Sequence, residues 1–134
     1  MIKYYIQFGL LFGLLLLQSS LYSQDKLESL QQVQLLSQDE CVIVQVNADW
    51  NMSANLDLSK LRNCLVFNGS IDDKEYGAII ANEWKVKSVP TIIMFEYGKE
   101  VKRFEAGLSF NLDKQEVVKA IKDEIDEIQL RKFQ

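Results

Sequence analysis

The sequence predicts an α/β domain built on a four-stranded mixed sheet with helices on both faces. Three observations predict it. Two short, β-branched and nearly all-apolar runs, "CVIVQVNA" from Cys41 and "CLVF" from Cys64, read as strands covered on both sides. Stretches with apolar residues at helical spacing alternate with them. Further on, two segments joined at Tyr97-Gly98-Lys99 read as a β-hairpin.

The 134 residues suffice for one compact domain. An apolar content of 48% fits a packed core. A net charge of −4 argues against nucleic acid, whose binding requires a basic face to displace counterions. The chain has no histidine, which removes histidine triads and general bases and nearly every transition-metal site. No calcium-loop spacing appears among the carboxylates, so no metal and no cofactor are expected.

The clearest break in composition is at the N-terminus. Lys3 precedes the apolar run "FGLLFGLLLL" from Phe8 to Leu17, and small polar residues follow to Ser23. The run is shorter than the roughly 20 residues a spanning helix needs, and the pattern is that of a secretory signal peptide. Residues 1–23 are read as that signal, cleaved near Ser23, with an uncleaved anchor as the alternative. Residues 24–134 then form the domain, exported to the periplasm or beyond and without a stable membrane span after cleavage.

The elements follow in order. Asp25 to Ser37 carries Leu27, Leu30 and Val33 at helical spacing. The strand from Cys41 to Ala48 comes next, then a helix over Asn51 to Arg62 with Ala54, Leu58 and Leu61 on one face. Cys64 begins the second strand. Asp72 with Glu75 three residues later marks a helix start, continued by Tyr76, Ile79, Ile80 and Trp84. Thr91 to Glu96 and Glu100 to Glu105 form the hairpin, with the only proline, Pro90, at its entrance. A last helix, capped by Asn111 or Ser109, buries Val117, Val118, Ile121, Ile125 and Ile128. Its other face carries Lys119–Asp123, Lys122–Asp126 and Glu127–Arg131 at i,i+4 spacing, which is a solvated surface. The strand order should be 64–67, 41–48, 91–96, 100–105, the first pair parallel and the rest antiparallel. The core should contain Val42, Val44, Val46, Leu65, Ile92, Ile93, Phe95 and Ile121.

This order, with "ADW" closing a central strand and "SVPT" before a hairpin, resembles the thioredoxin family over about Leu27 to Ile128, except for a missing first strand. Thioredoxins carry "A-x-W-C-x-x-C" where this chain reads Ala48-Asp49-Trp50-Asn51-Met52-Ser53-Ala54. They carry a proline and threonine matched by Pro90 and Thr91, and a glycine matched by Gly107. The resemblance implies that Asn51 stands where the attacking thiol would be, at a helix start that depresses a thiol pKa, and Ala54 where the resolving thiol would be. Neither can form a mixed disulfide. Family members also bury an Asp and a nearby Lys to handle the thiol's proton; the matching positions here are Gln45 and Asn68. A redox-silent member is what this implies.

The resemblance also implies a cis Val89–Pro90 peptide whose turn offers the backbone of Val89 to an extended peptide. Trp50, Asn51, Val89, Pro90 and Gly107 are therefore the candidate peptide-binding residues. Trp50 reads first as a half-buried lid over the sheet end, kept for packing, and Gly107 also as a turn glycine. Cys41 and Cys64 begin adjacent strands; in an exported protein they are a candidate disulfide or two buried small hydrophobes. Three functions remain open: a protein-binding or assembly module, a thiol-disulfide oxidoreductase using these non-standard cysteines, and a structural subunit contacting partners through its acidic C-terminal helix.

Overall fold

A computed structural model describes residues 24–134; the predicted signal segment and its cleavage site lie outside the described residues. The sheet has five strands in the order β1-β3-β2-β4-β5. These are β1 Gln24–Lys26, β2 Cys41–Asn47, β3 Cys64–Ser70, β4 Thr91–Glu96 and β5 Lys99–Glu105. The pairs β1–β3 and β2–β3 are parallel, and β2–β4 and β4–β5 are antiparallel. The helices are α1 Leu30–Leu36, α2 Gly77–Glu83 and α3 Lys114–Lys132. Among the described residues no helix is long and apolar enough to cross a membrane.

Every residue of β2 is buried, as its largely β-branched and apolar sequence leads one to expect. Its side chains divide the core by alternation. Cys41 and Ile43 join Ile92, Met94, Ile121, Ile125 and Ile128 under α3. Val42, Val44 and Val46 join Val33, Ile80 and Ile93 beneath α1 and α2. Two full cores flank the sheet.

Several expectations are corrected. The sheet has a fifth strand, β1, where a helix start was expected. Gln24-Asp25-Lys26 pairs through its backbone, and the Leu27 N–H continues the ladder to the Asn68 carbonyl at 2.8 Å. Helix α1 starts only at Leu30, because Ser29 is extended and its hydroxyl accepts from the Gln32 N–H. Asp73, not Asp72, holds the turn before α2, accepting from the N–H groups of Glu75 and Tyr76. Helix α2 waits until Gly77, whose backbone lies so close to Ile71 that an added Cβ would sit 2.3 Å from its carbonyl oxygen.

The hairpin loop is two residues, not three. Tyr97 and Gly98 both have positive φ (53° and 74°), the combination that matches the twist of the flanking strands. Asp113 caps α3 by accepting from the Glu116 N–H; Asn111 and Ser109 bond each other's backbone instead. Leu65 is 38% exposed and stays out of the core, since β1 begins opposite Val66 and leaves it at the rim.

Candidate functional site

The carboxyl end of β2 leads directly into the candidate site. The chain leaves the sheet at Asn47 and turns through a single 3-10 helix, Asp49–Ala54. The longer helix expected up to Arg62 does not form. Gln45, fully buried on β2, captures the backbone of Leu56 instead. Its Nε2 donates to the Leu56 carbonyl at 3.0 Å, and its Oε1 accepts the Leu56 N–H at 2.8 Å. A residue clamped at both backbone groups cannot also serve a helix ladder. Gln45 Nε2 further donates to Asn68 Oδ1 at 3.3 Å, and Gln24 Nε2 donates to the same oxygen. Gln24 Oε1 then accepts the Leu58 N–H. Residues 56–58 are thus tied to the sheet by a ladder of uncharged amides, and Leu56, Leu58 and Leu61 are buried in the α3-side core.

A second amide network holds the 3-10 helix. Asn47, fully buried, donates from Nδ2 to the Asn51 carbonyl at 2.8 Å and to Asn55 Oδ1 at 2.7 Å. Its Oδ1 accepts from the Ala48 N–H and from Asn51 Nδ2 at 3.0 Å. Asn51 is 9% exposed, and its Nδ2 makes one more bond, to the carbonyl of Phe110 at 3.1 Å. Both Asn51 donors are therefore spent on the protein itself. Asp49 is bound as well: its carboxylate accepts from the Ser70 hydroxyl at 2.6 Å, and its N–H donates to Asp72 at 2.7 Å.

Trp50 is 65% exposed and is not a lid over the sheet. Its ring meets Phe110 edge to face, with centroids 5.1 Å apart and planes at 83°. Phe110 has φ of +57°, a conformation uncommon for an aromatic residue, held by the Asn51 bond and by its own N–H donating to the Gly107 carbonyl. Met52 and Leu108 are also exposed.

The Val89–Pro90 peptide is cis. Val89 and Pro90 are buried, and the Pro90 carbonyl accepts from the Ala106 N–H at 3.1 Å. That bond sets Gly107 next to the proline turn, and the Gly107–Phe110 turn carries the chain on to Trp50. Around an ideal Cβ at Gly107 nothing lies within 4 Å. No intramolecular packing demands a glycine there. The structure so links Trp50, Asn51, Gly107 and Pro90 by a continuous path of contacts; Val89 enters it through its peptide bond alone.

Phe110 was missed by sequence reasoning. "GLSF" has no periodicity, and the bond that anchors it uses a backbone carbonyl. The three asparagines at Asn47, Asn51 and Asn55, four apart, were the available signal for the network. Beside Met52 a cleft of about 430 Å³ is lined by Asp25, Asp49, Asp73 and Tyr76 among others. Burial pushes the Tyr76 phenol above its ordinary pKa, and the charges of Asp73 and Asp49 act in the same direction. Among the described residues no three acidic or thiol groups converge to hold a metal.

Cys41 and Cys64 are joined by a disulfide across the β2–β3 pair. They lie at the opposite end of β2 from Asn47.

No protein-family model and no curated protein sequence matches the chain. Solved structures do. A thioredoxin of Malassezia sympodialis is similar over 77% of this chain and 91% of its own, with a TM-score of 0.61 at 17% identity. One of Schistosoma mansoni gives 0.60 at 19% identity over 78% and 97%. A mutant thioredoxin of Halobacterium salinarum gives 0.59 at 19% over 81% and 92%. The chain has the thioredoxin-like fold.

Proposed function

We propose that this thioredoxin-like domain is an exported protein-binding module that runs no dithiol chemistry at the carboxyl end of its central strand. The state of Asn51 carries the reading. Where the fold would offer a free thiol, this chain has an amide whose donors are both bonded internally. Three residues later stands Ala54, which has no group to resolve a mixed disulfide. The neighbouring positions suited to proton transfer hold Gln45 and Asn68, both spent on clamping residues 56–58.

What remains at this end is a surface. Trp50, Met52 and Phe110 present apolar area beside the cis Val89–Pro90 turn, and Gly107 leaves open space for a backbone to approach. Tryptophan is the side chain most enriched at binding hot spots. Among the described residues, neither the N–H nor the C=O of Val89 has a hydrogen-bond partner. An extended peptide adding a backbone pair there would meet Trp50 with its side chains.

Two measurements test this. Partners captured from a cell-envelope extract by the protein are compared with those captured by Trp50→Ala, an exposed substitution that spares the fold. Identical capture by both would sink the groove. Reduction of a model disulfide by the pre-reduced protein is compared with a Cys41→Ser/Cys64→Ser double variant. Reduction of more than one equivalent of disulfide per protein above that control would make the chain an oxidoreductase.

A further inference from the structure

The end of the sheet away from Trp50 holds a second cluster of reactive groups. Cys41 and Cys64 are partners in the parallel register and are bridged. Cys41 is 1% exposed, whereas Cys64 is only partly buried. A cleft of about 350 Å³ is lined by Lys60, Asn63, Lys122 and Asp126 among others, and Asn63 precedes Cys64 in the chain. Glu96 lies on the other side of Cys41. Continuing the β2–β4 register one residue beyond Val42–Phe95 sets Glu96 directly across from Cys41. Opposed residues share a face, here the α3 face, from which Arg131 reaches Glu96.

Glu96 is 6% exposed, a rare place for a carboxylate. Its Oε2 accepts from Arg131 Nη2 at 2.8 Å. Arg131 also approaches Glu124 at 3.5 Å and Glu127 at 4.0 Å, and Lys99 is the register partner of Glu96 on β5. The second oxygen, Oε1, is buried with no hydrogen-bond partner. A stranded acceptor of this kind calls for an explanation, because it is costly to keep. A disulfide has no proton to give it. A thiol does.

We propose that Cys41–Cys64 is a reversible thiol–disulfide site for small dithiols, in which Glu96 Oε1 accepts the S–H that Cys41 gains on reduction. The attacking thiolate of the dithiol bonds to Cys64 Sγ, the sulfur of the less buried cysteine. The Cys41–Cys64 bond breaks with its electron pair on Cys41 Sγ. That sulfur takes up the proton which the attacking thiol released to water, and donates S–H to Glu96. The second thiol of the dithiol then displaces Cys64, which leaves as a thiol. The dithiol ends as a disulfide and the protein holds two thiols. This site is independent of the Trp50 surface, and its exchange is a stoichiometric response to redox conditions.

The test equilibrates the full-length protein with mixtures of oxidised and reduced dithiothreitol, followed by alkylation and mass measurement. Glu96→Met keeps the volume and removes the acceptor. It should move the equilibrium about tenfold toward the disulfide, which is about 30 mV. Glu127→Gln, which touches the same arginine but not Oε1, should move it less than twofold. A Glu96→Met shift below twofold, or an equal shift in both variants, overturns the proposal. An infrared measurement stands even if Glu96→Met fails to fold. In Cys64→Ala the only thiol is Cys41, and its S–H stretch should lie below that of a thiol without an acceptor. An unshifted band overturns the proposal.

Discussion

Gln45→Leu tests whether the amide ladder is what keeps residues 55–63 from forming a helix. The substitution preserves volume and removes one acceptor and the donors at once. Leu56, 8% exposed, then loses the partners of both its N–H and its C=O. Each stranded buried group costs about 1–3 kcal/mol. A leucine side chain in a fully buried site returns about 1–2 kcal/mol of that. Midway values of these terms leave a net loss of about 2.5 kcal/mol, or about 10 °C in melting temperature for a domain of this size. Urea unfolding followed by circular dichroism measures it directly. Gln45→Glu sharpens the test. The carboxylate still accepts from the Leu56 N–H, but it faces the Leu56 carbonyl and Asn68 Oδ1 with no proton to offer. Its pKa in the folded protein must rise above the unfolded value. The variant's stability is then highest below the ordinary carboxylate range and falls as pH rises through the raised value. A Gln45→Leu loss under about 1 kcal/mol, or a Gln45→Glu variant whose stability relative to the parent ignores pH, would refute the clamp.

Phe110→Ala removes the ring partner of Trp50 and should cost about 0.5–1.5 kcal/mol. In a Trp84→Phe background the Trp50 emission should also move to longer wavelength; an unchanged spectrum would place Phe110 elsewhere in solution. Gly107→Ala meets no atom within 4 Å and should change stability by less than about 0.5 kcal/mol, while weakening capture of envelope partners. Loss of stability without loss of capture would make Gly107 a turn residue only. Tyr76 holds its proton more tightly folded than unfolded, so its contribution is complete below about pH 10 and is lost as pH rises through the raised value. The urea midpoint of the protein should therefore fall more steeply above pH 10 than that of Tyr76→Phe, and parallel curves would exclude this.

The sheet was legible because burial on both faces leaves a mark in sequence: β2 is β-branched and apolar nearly throughout, and β4 largely so. Strand β1 left no such mark. It is three polar residues long, joins the sheet through its backbone ladder and the Gln24 side chain, and exposes Asp25 and Lys26. The segment after Trp50 misled for a different reason. Ala54, Leu58 and Leu61 fall at helical spacing, yet Leu56 and Leu58 alternate as an extended chain does, and both are buried. Periodicity alone could not choose between them; Gln45, eleven residues earlier, decides the matter through the backbone of Leu56.

The same amides explain why the site was only half legible. That Asn51 replaces a thiol could be read from spacing and resemblance. That its amide ties down the Phe110 turn could not, since the acceptor is a carbonyl every residue possesses. Gln24, Gln45, Asn47, Asn51, Asn55 and Asn68 have no titrating group, so the networks at the Trp50 end neither gain nor lose protons with pH. The buried charge lies at the other end of the central strand. Among the described residues Glu96 is the one buried carboxylate, and it stands across the sheet from Cys41. Where the thioredoxin pattern has a thiol beyond the carboxyl end of this strand, this chain has the Asn51 amide, bonded internally beside the exposed Trp50. Its sulfur and its buried charge share the opposite rim, where a change of redox state can act without touching Trp50.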